Sequence, residues 1–424
     1  MREIKNLKIF TENIEHEAIE QIELLLEQEA FKDCKVRIMP DVHAGKGCVI
    51  GFTADLGNKV IPNIVGADIG CGMFVVELGK SDIDLQKFDG VVNKYIPSGR
   101  NIREQKVANF LGIQKLHCLK ELKESSKFER GIGTLGSGNH FIELDVDKDG
   151  NKYLVIHSGS RNLGKQVAEY YQNLAIELCS GKEEYYAKKE EIIKTYKEQG
   201  RKSEIQQALK EFEKQYKDKQ PNLPKELCYL DGKYRDMYLD DMAICQKYAE
   251  LNRTIIAREI LLKYFDIKDS YQLRFYRTDG NYYYTQDMVD YPFDAWQTIH
   301  NYINFGDNIV RKGSISAYAG EKVIIPMNMK DGSLICIGKG NKDWNNSAPH
   351  GAGRIMSRSK AKEMFNLEQF KESMQGIYST SVVEETIDEA PFVYKPIQEI
   401  IENIKDTVEI VKIIKPIYNF KAKN

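Results

Sequence analysis

Short β-branched runs alternate with glycine-rich turns over roughly the first 175 residues. Val49–Phe52, Met73–Leu78 and Tyr153–Ile156 carry the apolar density of strands and are bounded by glycine, which predicts a strand at each. From Lys165 the spacing changes to helical periodicity through VAEYYQNLAIEL. Residues 181–250 then become densely charged. There KEEYYAKKEEIIKTYKEQ and QQALKEFEKQY read as exposed helices with mixed-sign faces, and Pro221 and Pro224 interrupt the stretch. Strand-like, turn-rich character returns from about Tyr271 with LRFYRTDG, EKVIIPMNM and SLICIGKG. The tail, IQEIIENIKDTVEIVKIIKPIYNF, reads as one helix followed by an extended end.

No internal repeat of solenoid length is visible. The pattern predicts an α+β protein, a single domain over residues 1–424. Within it, residues 181–250 are expected to form a charged helical arm or insertion without chemistry of its own.

Composition narrows the function without naming it. Lys+Arg is 61 and Asp+Glu is 63, a net charge of -2. Phosphate binding usually leaves a strongly basic footprint, so any nucleic-acid site here must be a local patch. The eight cysteines show no CxxC pairing, which argues against a disulfide framework and against a zinc ribbon. The start, MREIKNLKIFTENIE, has no apolar signal core, and no later run approaches ~18 apolar residues. The expectation is a protein without a membrane segment, in the reducing cytoplasm.

Of seven histidines, five sit in distinctive segments: PDVHAGKG (His43), GSGNHFIEL (His140), VIHSGSRNLG (His157), AWQTIHNYI (His300) and SAPHGAGR (His350). GADIGCG adds Asp68 and Cys71. Gly70 and Gly72 let the backbone beside Cys71 approach a bound group closely. Asp68, three residues earlier, can reach the same ion, and His157 ends an apolar run at the mouth of a strand. Thiolate, imidazole and carboxylate together suit a divalent transition metal. The plainer alternative for Cys71 is a small buried hydrophobe in a tight turn.

Two segments suit phosphate. Ser158–Asn162 leads from a strand into a helix expected to begin near Leu163, and Gly351-Ala352-Gly353-Arg354 leads into IMSRSKAKEMF. Both would place free backbone N–H groups and an arginine at a helix N-terminus. Ordinary capping by Ser and Asn is the competing explanation.

Taken in order, MPDVHAGKG, VGADIGCGM, GTLGSGNHFIE, HSGSRNLG, IHNYI and HGAGRIMSR resemble the RtcB family of RNA-splicing ligases. The likeness runs from roughly residue 35 to 424 and is weakest over 181–225. It implies an RtcB-like mixed α/β fold. It also implies an enzyme joining an RNA 2′,3′-cyclic phosphate or 3′-phosphate end to a 5′-hydroxyl, with GTP and two manganese ions. By position, Asp68, Cys71 and His140 would hold one ion and Cys71, His157 and His300 the other. His350 would accept GMP, with Gly351, Ala352, Gly353 and Arg354 beside the nucleotide. Asn139 and Arg161 would contact phosphate, while Glu143, Ser333, Tyr394 and Lys421 would form a guanine pocket. The resemblance further implies RNA in tRNA splicing or repair as the partner, an archease-like activator as a candidate second partner, and a monomer.

Two consequences can be checked against the fold. The usual affinity order favours cobalt or zinc over manganese in a Cys/His/Asp site, so manganese follows only from the resemblance. A strict strand through NHFIE would put His140 and Glu143 on opposite faces, so the strand must begin after His140 or contain a bulge if both serve one site. Two other functions remain open on the residues alone: a two-metal phosphoesterase acting on RNA ends without GTP, and a non-catalytic RNA-binding module with a structural metal. The near-neutral charge disfavours the module.

Overall fold

Strands that are apolar on both faces must be covered on both sides. In Gly72–Gly79, Phe74, Val76 and Leu78 point one way and Met73 and Val75 the other, and all five are buried. Lys152–Ser158 repeats this arrangement, and Phe141–Val146 is also buried on both faces, with Glu143 and Asp145 on one of them. In the computed structural model, which describes residues 6–215, 221, 223–268, 273–277 and 291–422, these three strands form the middle of an eight-stranded sheet. Its order is Lys322–Asn328, Gly332–Gly338, Val408–Lys421, Phe141–Val146, Lys152–Ser158, Gly72–Gly79, Tyr291–Ile299 and Leu273–Arg277. Neighbours are antiparallel except the last pair, which is parallel. Of the LRFYRTDG segment, Leu273–Arg277 form this edge, and residues 278–280 lie outside the described residues.

One face of the sheet is closed by helices. Phe74, Val76, Ile142, Leu144, Leu154 and Ile156 pack with Phe88 and Val92 of the helix Leu85–Tyr95. Ile256, Ile260 and Leu261 of the helix Gly232–Tyr264 complete the same core. Each such side chain contributes about 1.5–3 kcal/mol on burial. The other face carries Met73, Val75, Phe141, Tyr153 and Val155. By strand alternation it also carries Glu143, Asp145 and His157, and this is the face that bears the site.

Trp296, Ile324, Ile335 and Ile414 of the same sheet pack over that second face, and a separate five-stranded sheet runs in the order Leu7–Ile9, Val36–His43, Ile50–Asp55, Ile309–Lys312 and Asn301–Asn304. His300 is the one residue between Tyr291–Ile299 of the first sheet and Asn301–Asn304 of the second. A two-stranded ribbon, Ser314–Ser316 with Ser347–Pro349, delivers the chain to His350.

The charged middle of the chain divides in two. Glu183–Glu198 and Ile205–Gln215 form a helical hairpin, in which Tyr185 stacks on Phe212 at 5.2 Å between ring centroids. Lys189 meets Glu213 at 2.7 Å across the same hairpin. Tyr216, expected at the end of its second helix, lies outside the described residues. The exposed character expected of all 181–250 stops here. From Gly232 the chain is a 33-residue helix with Tyr238, Met242, Cys245 and Tyr248 buried. No helix among the described residues is long and apolar enough to cross a membrane.

Candidate active site

The donor atoms of Cys71, His140 and His157 lie within 4.8 Å of one another, and all three residues are buried. Cys71 Sγ is 3.4 Å from His140 Nε2 and 3.2 Å from His157 Nε2. The set extends on both sides. Asp68 Oδ2 is 3.1 Å from His140 Nε2, and His300 Nε2 is 3.3 Å from His157 Nε2. Cys71 therefore sits between two groups of donors. Asp68 and His140 lie on one side of it, His157 and His300 on the other.

Backbone carbonyls orient two of the rings. His140 Nδ1 lies 2.8 Å from Leu135 O and His157 Nδ1 3.1 Å from Asn139 O. The Nδ1–H groups donate there, which leaves the Nε2 lone pairs converging on Cys71. Burial, with the neighbouring imidazoles as a second cause, holds His157 and His300 well below the ordinary histidine range, so both are neutral. Burial and then Asp68 push the Cys71 thiol up, so it keeps its proton until a cation displaces it. A soft anion in waiting, neutral imidazoles and a carboxylate fit a divalent transition metal. The strand containing Glu143 begins at Phe141, and His140 precedes it just after the turn at Gly138 and Asn139, so His140 and Glu143 both reach this face.

The backbone around the cluster is pinned from behind by the long helix. Asn252 Nδ2 donates to Thr134 O, Ser158 Oγ and Gly159 O, and Asn252 Oδ1 accepts from the N–H groups of Gly133 and Thr134. Arg253, fully buried, donates from Nη1 to Gly70 O and Ser158 O. At Gly159 a Cβ would stand 2.1 Å from Asp68 Oδ1, so no other residue fits without moving the carboxylate. Neither Asn252 nor Arg253 was expected to take part, because both lie in a helical run with no motif around them.

Beside the metal donors a cavity of about 560 Å³ opens, lined by Cys71, His157 and His300 at one end and by His350, Glu143 and Lys421 further along. The His300 and His350 rings are 4.8 Å apart by centroid. His350 Nδ1 lies 2.6 Å from Asp41 Oδ2, and the His350 backbone N–H donates to the same oxygen at 3.1 Å. Asp41 is fully buried. A carboxylate accepting from Nδ1–H orients the ring and leaves Nε2 as the ring nitrogen available to act as a nucleophile. Asp41 stood in the PDVHAGKG motif, yet only folding brings it to a histidine 309 residues away.

A second acid organises the far wall. Buried Glu389 accepts from the Tyr394 hydroxyl at 2.8 Å and pairs with Lys421, Arg354 and Arg358. Burial alone would raise its carboxyl, but Lys421 and Arg358 outweigh that and hold it at about 2.

Two expected phosphate segments are placed differently. The helix after HGAGR starts only at Arg358, where Ser357 caps it by accepting from Lys360 N–H. Gly351–Arg354 is therefore irregular chain ending in a β-bridge between Arg354 and Tyr394, and not a helix N-terminus. Arg354 instead donates to Asp388 O at 2.7 Å. The other helix begins at Arg161, two residues before Leu163. Arg161 turns its side chain to Thr134 Oγ1 at 3.1 Å and Gly99 O at 3.2 Å and does not line the cavity. Asn139, Gly351, Ala352, Gly353 and Tyr394 do line it. Ser333 is buried on Gly332–Gly338, its hydroxyl without a hydrogen-bond partner among the described residues, and stands off the cavity wall.

The family model described as tRNA-splicing ligase RtcB matches residues 28–124 and 112–422 of the chain. The chain is 29% identical to the RNA-splicing ligase RtcB of Escherichia coli (strain K12), over 91% of this chain and 90% of that protein. It is 25% identical to the tRNA-splicing ligase RtcB of Archaeoglobus fulgidus, over 92% and 87%. With the protein of the same description from Methanococcus maripaludis it shares 24% identity, over 96% and 92%.

Proposed function

The chain belongs to the RtcB family, and from that premise we propose that it is a GTP-dependent RNA ligase that seals 2′,3′-cyclic phosphate or 3′-phosphate ends to 5′-hydroxyl ends. One observation carries the reading further than family likeness does. A histidine with its Nδ1 held by a buried carboxylate stands in a nucleotide-sized cavity beside a cluster of transition-metal donors.

The chemistry follows from His350. Its Nε2 lone pair attacks the α-phosphorus of GTP, a P–N bond forms, and the P–O bond to pyrophosphate breaks. The imidazole acquires positive charge as it bonds, and Asp41 on Nδ1 stabilises that charge without taking the proton. The phosphoramidate is an activated donor, because imidazole leaves readily. A 2′,3′-cyclic end is first opened by water, which breaks the P–O2′ bond and leaves a 3′-phosphate and a 2′-hydroxyl; an oxygen of the RNA 3′-phosphate then takes GMP from His350, and the 5′-hydroxyl displaces GMP to close the phosphodiester.

Asp68, Cys71 and His140 would hold one manganese ion and Cys71, His157 and His300 a second. Such a pair would supply charge neutralisation at the reacting phosphates. Arg354 and Lys421, which line the cavity, add positive charge on its wall, and Tyr394 and Glu143 extend it toward the base. Asn139 sits where the metal end meets the cavity and is the proposed phosphate contact from the chain. Arg161 serves by holding the Gly99 and Thr134 loops that flank the centre. A phosphoesterase working without GTP would leave this cavity and the Asp41–His350 pair without a role.

The test is sealing itself. An RNA with a 2′,3′-cyclic phosphate and a second with a 5′-hydroxyl should be joined in the presence of manganese and GTP, with no joining when GTP is left out. Joining that proceeds equally well without GTP would refute the nucleotidyl-transfer scheme.

A further inference from the structure

His43 sits in one of the five distinctive histidine segments, yet the proposed chemistry leaves it without a part. Of the imidazoles that line the cavity, His157 and His300 are metal donors, His350 is the nucleophile, and His43 is the fourth. It ends the strand Val36–His43, in register with Ile50 of the neighbouring strand. The turn after it is tied to the helix His16–Leu26 and its cap. Glu15 accepts from the Ala44 N–H at 2.6 Å, and Gln21 accepts from the Gly45 N–H at 3.1 Å. The backbone of His43 is therefore held on both sides.

His43 and His350 hang from one residue. His43 Nδ1 lies 2.9 Å from Asp41 O, and His350 Nδ1 lies 2.6 Å from Asp41 Oδ2. A carbonyl only accepts, so His43 Nδ1 carries the proton and Nε2 a lone pair. That Nε2 has no hydrogen-bond partner among the described residues. Burial, against the opposing pull of Asp41, holds the ring below the ordinary histidine range, so it is neutral near pH 7. A neutral imidazole with a free Nε2 in a cavity wall is equipped to be a general base.

Proton bookkeeping selects the step. His350 attacks GTP with a lone pair, and an RNA phosphate oxygen takes GMP as an anion, so neither nucleophile has a proton to shed. The 5′-hydroxyl does: its oxygen loses a proton as it bonds to the RNA 3′-phosphorus. One bridging oxygen separates that phosphorus from the GMP phosphorus that His350 has just released, so sealing takes place close to the two rings that Asp41 carries.

We propose that His43 is the general base of the sealing step. Its Nε2 takes the proton of the 5′-hydroxyl while the 5′-oxygen bonds to the 3′-phosphorus. The phosphoanhydride P–O bond breaks, GMP leaves with the electron pair, and the imidazolium returns its proton to solvent. The inference deepens the reading of the cavity as the site of a GTP-dependent ligase and rests on it.

RNA that already carries GMP on its 3′-phosphate isolates sealing from the steps before it. His43→Asn keeps an amide N–H for Asp41 O and removes the base. It is expected to become labelled by GTP within about threefold of the parent rate and to seal the activated end about 10²-fold more slowly or worse, with KM for the RNA unchanged. His43→Ala, which reads the same step if the asparagine variant does not fold, should seal as slowly and regain rate as imidazole is added. Sealing by His43→Asn near the parent rate would overturn the proposal. So would labelling slowed as much as sealing, since His43 would then only brace Asp41. A parent protein that leaves the activated end unsealed would instead refute the ligase reading, and the base with it.

Discussion

Two side chains decide most at the scale of single residues, Asp41 and Cys71. Asp41 holds His350 by Nδ1, so Asp41→Asn, which presents an amide where a carboxylate stood, should slow GMP attachment by at least about 10²-fold. Metal content should be unchanged. A rate near the parent's in single-turnover labelling would remove Asp41 from the mechanism. Cys71 stands between both groups of donors, so Cys71→Ala should lose both ions together, and elemental analysis finding one ion retained would contradict the shared thiolate. Cys71, His140, His157 and His350 stood out in the sequence because each lies in a glycine-rich segment, where the backbone can approach a bound group closely. Asp41 and Glu389 did not. Each acquires meaning only through a partner distant in the chain or on an adjacent strand, and an acid without its partner looks like any surface acid.

Elements explain which expectations held. The strands Gly72–Gly79 and Lys152–Ser158 were readable because both faces are apolar and glycine marks an end. The Gly351–Arg354 turn was misread for a physical reason. Glycine permits a helix start but does not make one, and the cap is Ser357, whose hydroxyl takes an orphan N–H. The helix Gly232–Tyr264 hid its role in a charged stretch, since the residues that matter, Asn252 and Arg253, are polar groups spent on loop backbones. Asn252→Ala leaves five hydrogen bonds unmade at buried groups and is expected to cost about 2–4 kcal/mol in denaturant unfolding. A loss under about 0.5 kcal/mol would mean that those loops hold themselves.

At the scale of the whole molecule, Glu389 ties the segment carrying Arg354 and Arg358 to the C-terminal strand through Lys421. Its carboxyl is held at about 2 in the folded chain against an ordinary 4.5. A depressed acid adds stability that is complete above the unfolded value and is lost as pH falls through the folded one. The contribution at neutral pH is about 3 kcal/mol, and it should disappear between about pH 4.5 and 2. Glu389→Gln should therefore be less stable at pH 7 and show a flatter acid limb in thermal melts. An acid limb of unchanged steepness would place the charge dependence elsewhere. The near-neutral overall charge is consistent with this design. Lys46, Arg354, Arg358 and Lys421 line the cavity beside Glu15, Glu17, Asp68, Glu143 and Glu389, a mixed lining that composition alone does not reveal.

The central claim is that His350 becomes covalently guanylylated. Incubation with manganese and α-labelled GTP, then denaturing electrophoresis, tests it most directly. The account predicts label on the protein that survives alkali, is lost in acid as a phosphoramidate must be, and is absent from His350→Ala with its metal content intact. Label that persists in His350→Ala, or no label on a parent protein with manganese bound, would contradict it.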